Sequence, residues 1–350
     1  MKIAQIAPFE EAVPPEKYGG TELVVYNLCE ELVKRGHLVY LLASGDSKTN
    51  AKILPVFPKS LRNSPKAQDL RVKESFKFIG LSKILEHLKN VKVDIIHNHI
   101  GWRLLSLASF IKAPIITTLH GPLDVENQST VYSLFKKANY VSISNNQREP
   151  LAGLNYLATV YNGIDIKKFP FSGKKGAYLA FLGRISPEKG PVQAIQAARK
   201  SGFKLKIAAK VDAVDKEFFE TEVRPLIDGK QIKFLGEVAH KGKVELLKNA
   251  SALLTPIQWR EPFGLFFIEA MACGTPVIAF KKGSVPEIIE DKKTGFIVKN
   301  VEEMARAIKK IGEIDRKKCR QRVEKYFTAE KMTDGYEKVY KKTLGKKCGS

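Results

Sequence analysis

The chain has 350 residues, 44% hydrophobic and 27% charged, a globular balance long enough for about two domains of roughly 150 residues each. It carries a formal net charge of +22, of which residues 1–165 supply +5 (20 Lys and Arg against 15 Asp and Glu) and residues 166–350 supply +17 (39 against 22). No window offers the roughly 18 successive apolar residues of a membrane span, the first apolar strand is too short for a signal-peptide h-region, and four scattered cysteines without a CxxC pair exclude a disulfide framework or a cysteine metal site.

Free thiols are therefore expected at Cys29, Cys273, Cys319 and Cys348, in a chain that remains in the cytosol. The cationic excess points to anionic company (nucleotides, phosphorylated substrates, a membrane face or nucleic acid) or to a surface that is lysine-rich throughout. Read from the N-terminus, β-branched runs at 2–7 (KIAQIA), 38–43 (LVYLLA), 94–99 (DIIHNH), 114–120 (PIITTLH), 140–144 (YVSIS) and 158–163 (ATVYNG) predict strands. Helical patterns separate them, the clearest being TELVVYNLCEELVKRG with Thr21 as N-cap and Gly36 as C-cap. Residues 164–176, polar and rich in Pro, Gly and Lys, read as a linker.

Strands resume at 177–183 (AYLAFLG), 204–209 (KLKIAA), 232–236 (IKFLG), 252–257 (ALLTPI), 276–280 (PVIAF) and 295–298 (GFIV). From about residue 301 the pattern is helical, and the last segment, AEKMTDGYEKVYKKTL, follows a break at Phe327–Thr328. Near-continuous apolar strands alternating with helices predict parallel sheets covered on both faces, so two doubly wound α/β domains in tandem. In such sheets ligands bind at the carboxyl ends of the strands.

Three loops at such ends carry candidate chemistry. Gly19-Gly20 precede the first helix, where backbone N–H groups can approach a phosphate, although the spacing is not GxGxxG; a tight turn is the plainer reading. In FLGRISPEKG (181–190), Arg184 and Lys189 flank a helix start at Pro187 and suit a diphosphate, or are solvated loop charges. In REPFGLFFIEAMACG (260–274), a helix beginning near Gly264 and ending at Gly274 puts Glu261 in the loop before it and Glu269 more than a turn inside. Two carboxylates bracketing an anion-binding helix start can read hydroxyls on either side of a phosphate, the shape of a nucleoside diphosphate sugar. His97 and His99, alternating in one strand, share a face; a metal there lacks a third ligand, and acceptor contacts or satisfied polar groups are favoured.

The run E-P-F-G-L-x-x-x-E-A-M-A-C-G-T-P-V-I-A resembles the E-x7-E motif of retaining glycosyltransferases of family 4, which have the GT-B fold. YGGTE, LLASGDS, DIIHNH, TTLHG, VYNGID, FLGRISPEKG, GSVPEII and a closing YEKVY helix follow the family's order over nearly the whole chain, and the avilamycin-type branch is the most similar. The resemblance implies two Rossmann-like domains with an interdomain cleft: an acceptor-binding domain at 1–164, a nucleotide-sugar-binding domain at 165–326, and a helix at 327–350 crossing back to the first. It implies that Glu261 binds the donor sugar's hydroxyls with the backbone of Phe263, Gly264 and Leu265, that Glu269 binds the ribose, and that Arg184 and Lys189 neutralise the departing diphosphate. Gly19 and Gly20 would close over the donor, His120 would contact the sugar, Lys210 would stand among the phosphate contacts, Glu237 and Val238 would read the base, and His97 and His99 would lie on the acceptor side. Ser284 and Glu287 would shape the donor loop or simply cap a helix.

No Asp-x-Asp clamp stands at a strand end, since Glu313-Ile-Asp315 falls in the helical tail, so no obligatory metal or cofactor is expected beyond the nucleotide sugar itself. The activity implied is retaining hexosyl transfer, from a UDP-sugar ahead of a GDP-sugar, to a glycan, lipid-linked or small-molecule hydroxyl. A phosphorylase or synthase of the same fold would share these residues. The basic stretch Lys59, Arg62, Lys66, Arg71, Lys73 and Lys77 is a candidate for peripheral contact with an anionic membrane, or a solvated helix face. A charge-driven nucleic-acid binder would interleave aromatics with its cations, whereas Tyr326, Tyr336 and Tyr340 are spaced for helix packing. Replacing Glu261 by Ala is expected to abolish transfer without unfolding the protein.

Overall fold

All the strand pairs are parallel, and apart from 38–44 and 52–57, which a short loop joins, successive strands within a sheet are linked through helical segments that cross back over it. The computed structural model describes residues 1–16, 19–67 and 69–345; Cys348 lies outside them. Residues 1–163 and 329–350 form one unit and 164–328 the other.

The first unit holds β1 (Lys2–Ile6), β2 (Leu38–Ser44), β3 (Lys52–Phe57), β4 (Ile95–Asn98), β5 (Ile115–Leu119), β6 (Asn139–Ser142) and β7 (Tyr156–Thr159), in the order β3-β2-β1-β4-β5-β6-β7. Strand β3 was not expected from the sequence. Its Pro55 cannot donate to a ladder, and it stands opposite Ala43 on the outermost strand, where one donor edge faces no neighbour. The first helix, Gly20–Lys34, begins two residues earlier than expected, with Gly19 in place of Thr21 as N-cap.

The closing helix, Ala329–Thr343, belongs to this first unit and packs on Gly20–Lys34. Arg35 fastens it, donating to Asp334 at 2.9 Å, to Glu337 at 2.8 Å and to the Glu330 carbonyl at 3.0 Å. Tyr336 and Tyr340 face inward and are fully buried, as their four-residue spacing predicts for one helix face.

The second unit contains β8 (Tyr178–Arg184), β9 (Leu205–Lys210), β10 (Ile232–Gly236), β11 (Ala250–Thr255), β12 (Val277–Phe280) and β13 (Gly295–Val298), in the order β10-β9-β8-β11-β12-β13. Its central strands are packed with aliphatic side chains, Leu179, Ala180, Leu253, Leu254, Val277 and Ile278 being completely buried. The helix near Pro187 is only a single 3-10 turn, Pro187–Lys189; the α-helix starts at Pro191 after left-handed Gly190. Among the described residues no helix is long and apolar enough to cross a membrane.

Candidate active site

Each sheet reverses its strand order once, between β1 and β4 in the first unit and between β8 and β11 in the second. Loops leaving adjacent strands in opposite directions there open a crevice above the carboxyl ends.

In the second unit that crevice receives Lys189 from beyond β8 and Glu261 from beyond β11. They form a buried ion pair, Lys189 Nζ donating to Glu261 Oε2 at 2.5 Å, and Trp259 Nε1 donates to the same oxygen at 3.1 Å. The Lys189 ammonium also lies 5.0 Å from the ring centres of Trp259 and Phe266, so aromatic faces complete its surroundings. Glu261 Oε1 makes no hydrogen bond among the described residues. Glu269, 4% exposed, is held in the same way: Lys243 donates to its Oε1, and Oε2 is left without a bond among the described residues. Two buried carboxylates are thus each anchored through one oxygen by a lysine, with the other available.

Glu261 precedes, and Glu269 lies within, the helix Leu265–Ala272, which starts from left-handed Gly264, where a Cβ would meet the Phe267 ring at 2.5 Å. Its first backbone donors lack intrahelical acceptors and begin beside Glu261. Phe263, just before it, is pinned through its carbonyl by the Ser284 hydroxyl at 2.8 Å; Ser284 occupies an N-cap position but makes no side-chain cap. Arg184 and Lys210 stand at the ends of β8 and β9. Arg184 pairs with Glu188 and lies 3.6 Å from Asp215, while Lys210 pairs with Asp212, so acidic neighbours already surround both. Glu237 and Val238 are half-buried just beyond the edge strand β10. Lys243 was missed by the sequence, being one cation among the 39 of the basic half.

In the first unit, a cavity of about 440 Å³ opens above β4 and β5, lined by Phe9, Glu10, Lys77, His99, Trp102 and His120 among others. His99 and His120 reach it. His97 does not: it is fully buried, and both its ring nitrogens are bonded inside the unit, to Tyr340 at 2.8 Å and Thr118 at 2.7 Å. His97 thus supports the cavity wall from behind, which leaves no nitrogen for a metal or an acceptor. Burial drives His97 and His99 well below the ordinary imidazole range and His120 down to about 4. All three are neutral at pH 7. Of the basic stretch, Arg62 pairs with Glu11, and Lys73 and Lys77 with Glu10 at 2.6 and 3.0 Å, so three of its six cations are already matched.

At the Gly19-Gly20 helix start the first turn carries Glu22, 5% exposed. Burial first, then the nearby Glu11 and Glu10 charges, lift its carboxyl from an ordinary 4.5 to about 7. Below pH 4.5 folded and unfolded chains are both protonated there. Between 4.5 and 7 only the folded chain holds the proton, so stability falls as pH rises, by about 3 kcal/mol once both are ionised. Glu22→Gln should therefore melt with wild type at pH 4 and several degrees above it at pH 8, measured by calorimetry; equal melting at pH 8 would refute the buried proton.

Two family models match the chain: one described as Glycosyl transferases group 1 at residues 164–328, the other as Glycosyltransferase Family 4 at residues 18–168. A glycogen synthase of Mycobacterium tuberculosis is 25% identical over 333 residues, spanning 81% of this chain and 79% of its own. Among solved structures, AviGT4, a glycosyltransferase involved in avilamycin A biosynthesis, superposes with a TM-score of 0.73 at 22% identity over 98% of both chains. HepE of Anabaena in complex with UDP-glucose gives a TM-score of 0.76 at 19% identity over 98% of this chain and all of that one. At such identities the structural likenesses speak for the fold.

Proposed function

This chain belongs to glycosyltransferase family 4 and has the GT-B fold, and from that premise we propose that it transfers a hexose, with retention, from a nucleoside diphosphate sugar to an acceptor hydroxyl. The observation that carries this reading is the pair of buried carboxylates, Glu261 and Glu269, each tied to a lysine through one oxygen and open at the other, on either side of a helix start. An open carboxylate oxygen accepts a hydroxyl, and a helix start with Lys189 beside it accepts a phosphate. Glu261 then takes the hydroxyls of the transferred sugar, with the backbone of Phe263, Gly264 and Leu265, and Glu269 takes the ribose. Lys243 holds Glu269 in place.

Lys189 and Arg184 offset the charge that gathers on the diphosphate as the glycosidic bond breaks. The departing phosphate oxygen deprotonates the acceptor on the same face, giving retention. Lys210 adds to the phosphate contacts and Glu237 and Val238 border the base; within the first unit, Gly19 and Gly20 offer backbone donors to a phosphate at a helix start, and His99 and His120 face the cavity assigned to the acceptor. HepE, of the same fold, was solved with UDP-glucose, which supports a UDP-sugar ahead of a GDP-sugar here. The acceptor class includes glycans, lipid-linked sugars and small molecules. Nucleotide sugars and buried free thiols at Cys29, Cys273 and Cys319 both suit the cytosol.

A thermal-shift panel of UDP-, GDP- and ADP-sugars tests the donor. A ligand at 100 times its Kd should stabilise the unit that binds it by about 2.7 kcal/mol; no shift with any of them would overturn the reading. Cations and helix donors carry the phosphate charge in this scheme, so EDTA should leave transfer rates largely intact. Complete loss on chelation, restored by a divalent ion, would refute metal independence.

A further inference from the structure

Seven side chains of the first unit form one unbroken hydrogen-bonded chain: His120, His99, Gln5, Tyr340, His97, Thr118 and Tyr336. Every member except His120 is under a tenth exposed. One amide sets the direction of the chain. Gln5 Nε2 donates to the Tyr340 hydroxyl at 3.1 Å, so Gln5 Oε1 faces His99 and can only accept, and His99 Nε2, 2.7 Å away, must donate to it.

A neutral imidazole has one donor and one acceptor. His99 Nδ1 therefore accepts, and His120 Nε2, 2.9 Å away, donates to it. On the other side Tyr340, having accepted from Gln5, donates to His97 Nδ1 at 2.8 Å; His97 Nε2 donates to Thr118 at 2.7 Å, and the Thr118 hydroxyl passes its proton toward Tyr336 at 3.0 Å. Burial keeps all three rings neutral near pH 7, so none escapes the rule of one donor and one acceptor.

From this geometry we infer that His99 is a positioning residue that fixes His120 in its Nε2–H tautomer, so that Nδ1 meets the substrate as a proton acceptor. Nδ1 makes no hydrogen bond among the described residues, and His120 lines the cavity. The group it takes is a hydroxyl that donates, not the oxygen of a carboxylate or phosphate. The tautomer is set more than two hundred residues away in sequence, by the closing helix. Without the Tyr340 hydroxyl, the Gln5 amide is free to turn over, and His99 and His120 would reverse together. The inference rests on the acceptor-side reading of this cavity, but the proton's position can be measured without any transfer reaction.

Long-range ¹H–¹⁵N correlation spectra of the full-length ¹⁵N-labelled protein near pH 7 read the tautomer, with His120→Gln used only for assignment. The wild-type His120 should carry its proton on Nε2 alone. Tyr340→Phe should show both tautomers, with transfer down about twofold in proportion to the competent population. A wild-type His120 protonated on Nδ1, or a folded Tyr340→Phe protein with the wild-type tautomer, overturns the inference. The wild-type spectrum decides by itself if the variant does not fold. The expected tautomer in a protein that transfers nothing would instead overturn the enzymatic reading and leave this one standing.

Discussion

Glu261→Gln is expected to lower the transfer rate by about 10²–10³-fold while lowering the melting temperature by less than Glu261→Ala does. The substitution keeps the size of the side chain and leaves an oxygen that can still accept from Lys189 and Trp259, which now share Glu261 Oε2. What it removes is the charge that, in the proposed function, grips a sugar hydroxyl at Oε1. Glu261→Ala, expected from the sequence to leave the protein folded, is the poorer test because its stability cost is larger. Lys189 is 8% exposed, and deleting its carboxylate strands a buried cation, at a cost of about 3–5 kcal/mol. Initial rates with the stabilising nucleotide sugar, beside a melt of the same sample, separate the two effects. A Gln variant transferring at the wild-type rate would remove Glu261 from the chemistry.

The doubly wound fold was legible because its strands are short, apolar and evenly spaced by amphipathic helices; 232–236 and 295–298 lie where the pattern puts them. Strand β3 was not, because Pro55 breaks the local signal and only its place at the sheet edge makes it tolerable. In the site, the sequence could mark Lys189 and Glu261 as chemically suggestive but not as neighbours. Their approach depends on which two strands flank the reversal of the second sheet, a property of topology. Lys243 gave no signal at all, since one lysine of a lysine-rich helix face differs from the next only in what it meets. The polar chain behind His120 was hidden for the opposite reason: each of its members has an ordinary local role, and the contact from His97 to Tyr340 spans 243 positions.

Gly283→Ala should be nearly as damaging to transfer as loss of Glu261, although Gly283 carries no chemistry. Its φ of +54° already disfavours any residue with a Cβ, and that Cβ would stand 2.3 Å from the Glu261 carbonyl oxygen and 2.4 Å from its nitrogen. These are backbone atoms and cannot rotate aside. They are also fastened, because Ser284 N–H donates to the Glu261 carbonyl at 3.0 Å and its hydroxyl to the Phe263 carbonyl at 2.8 Å. Relief therefore has to come from moving the Glu261–Phe263 loop by about an ångström, enough to cost roughly 10²-fold in rate where geometry carries catalysis. The strained backbone should add about 1–3 kcal/mol of destabilisation. Gly312→Ala serves as the control, since a Cβ there meets nothing within 4 Å. Donor thermal shifts should shrink in step with the rate in Gly283→Ala and stay at the wild-type value in Gly312→Ala. If Gly283→Ala keeps both its rate and its donor shift, the loop is not held by this contact, and the placement of Glu261 must be enforced from the Lys189 side alone.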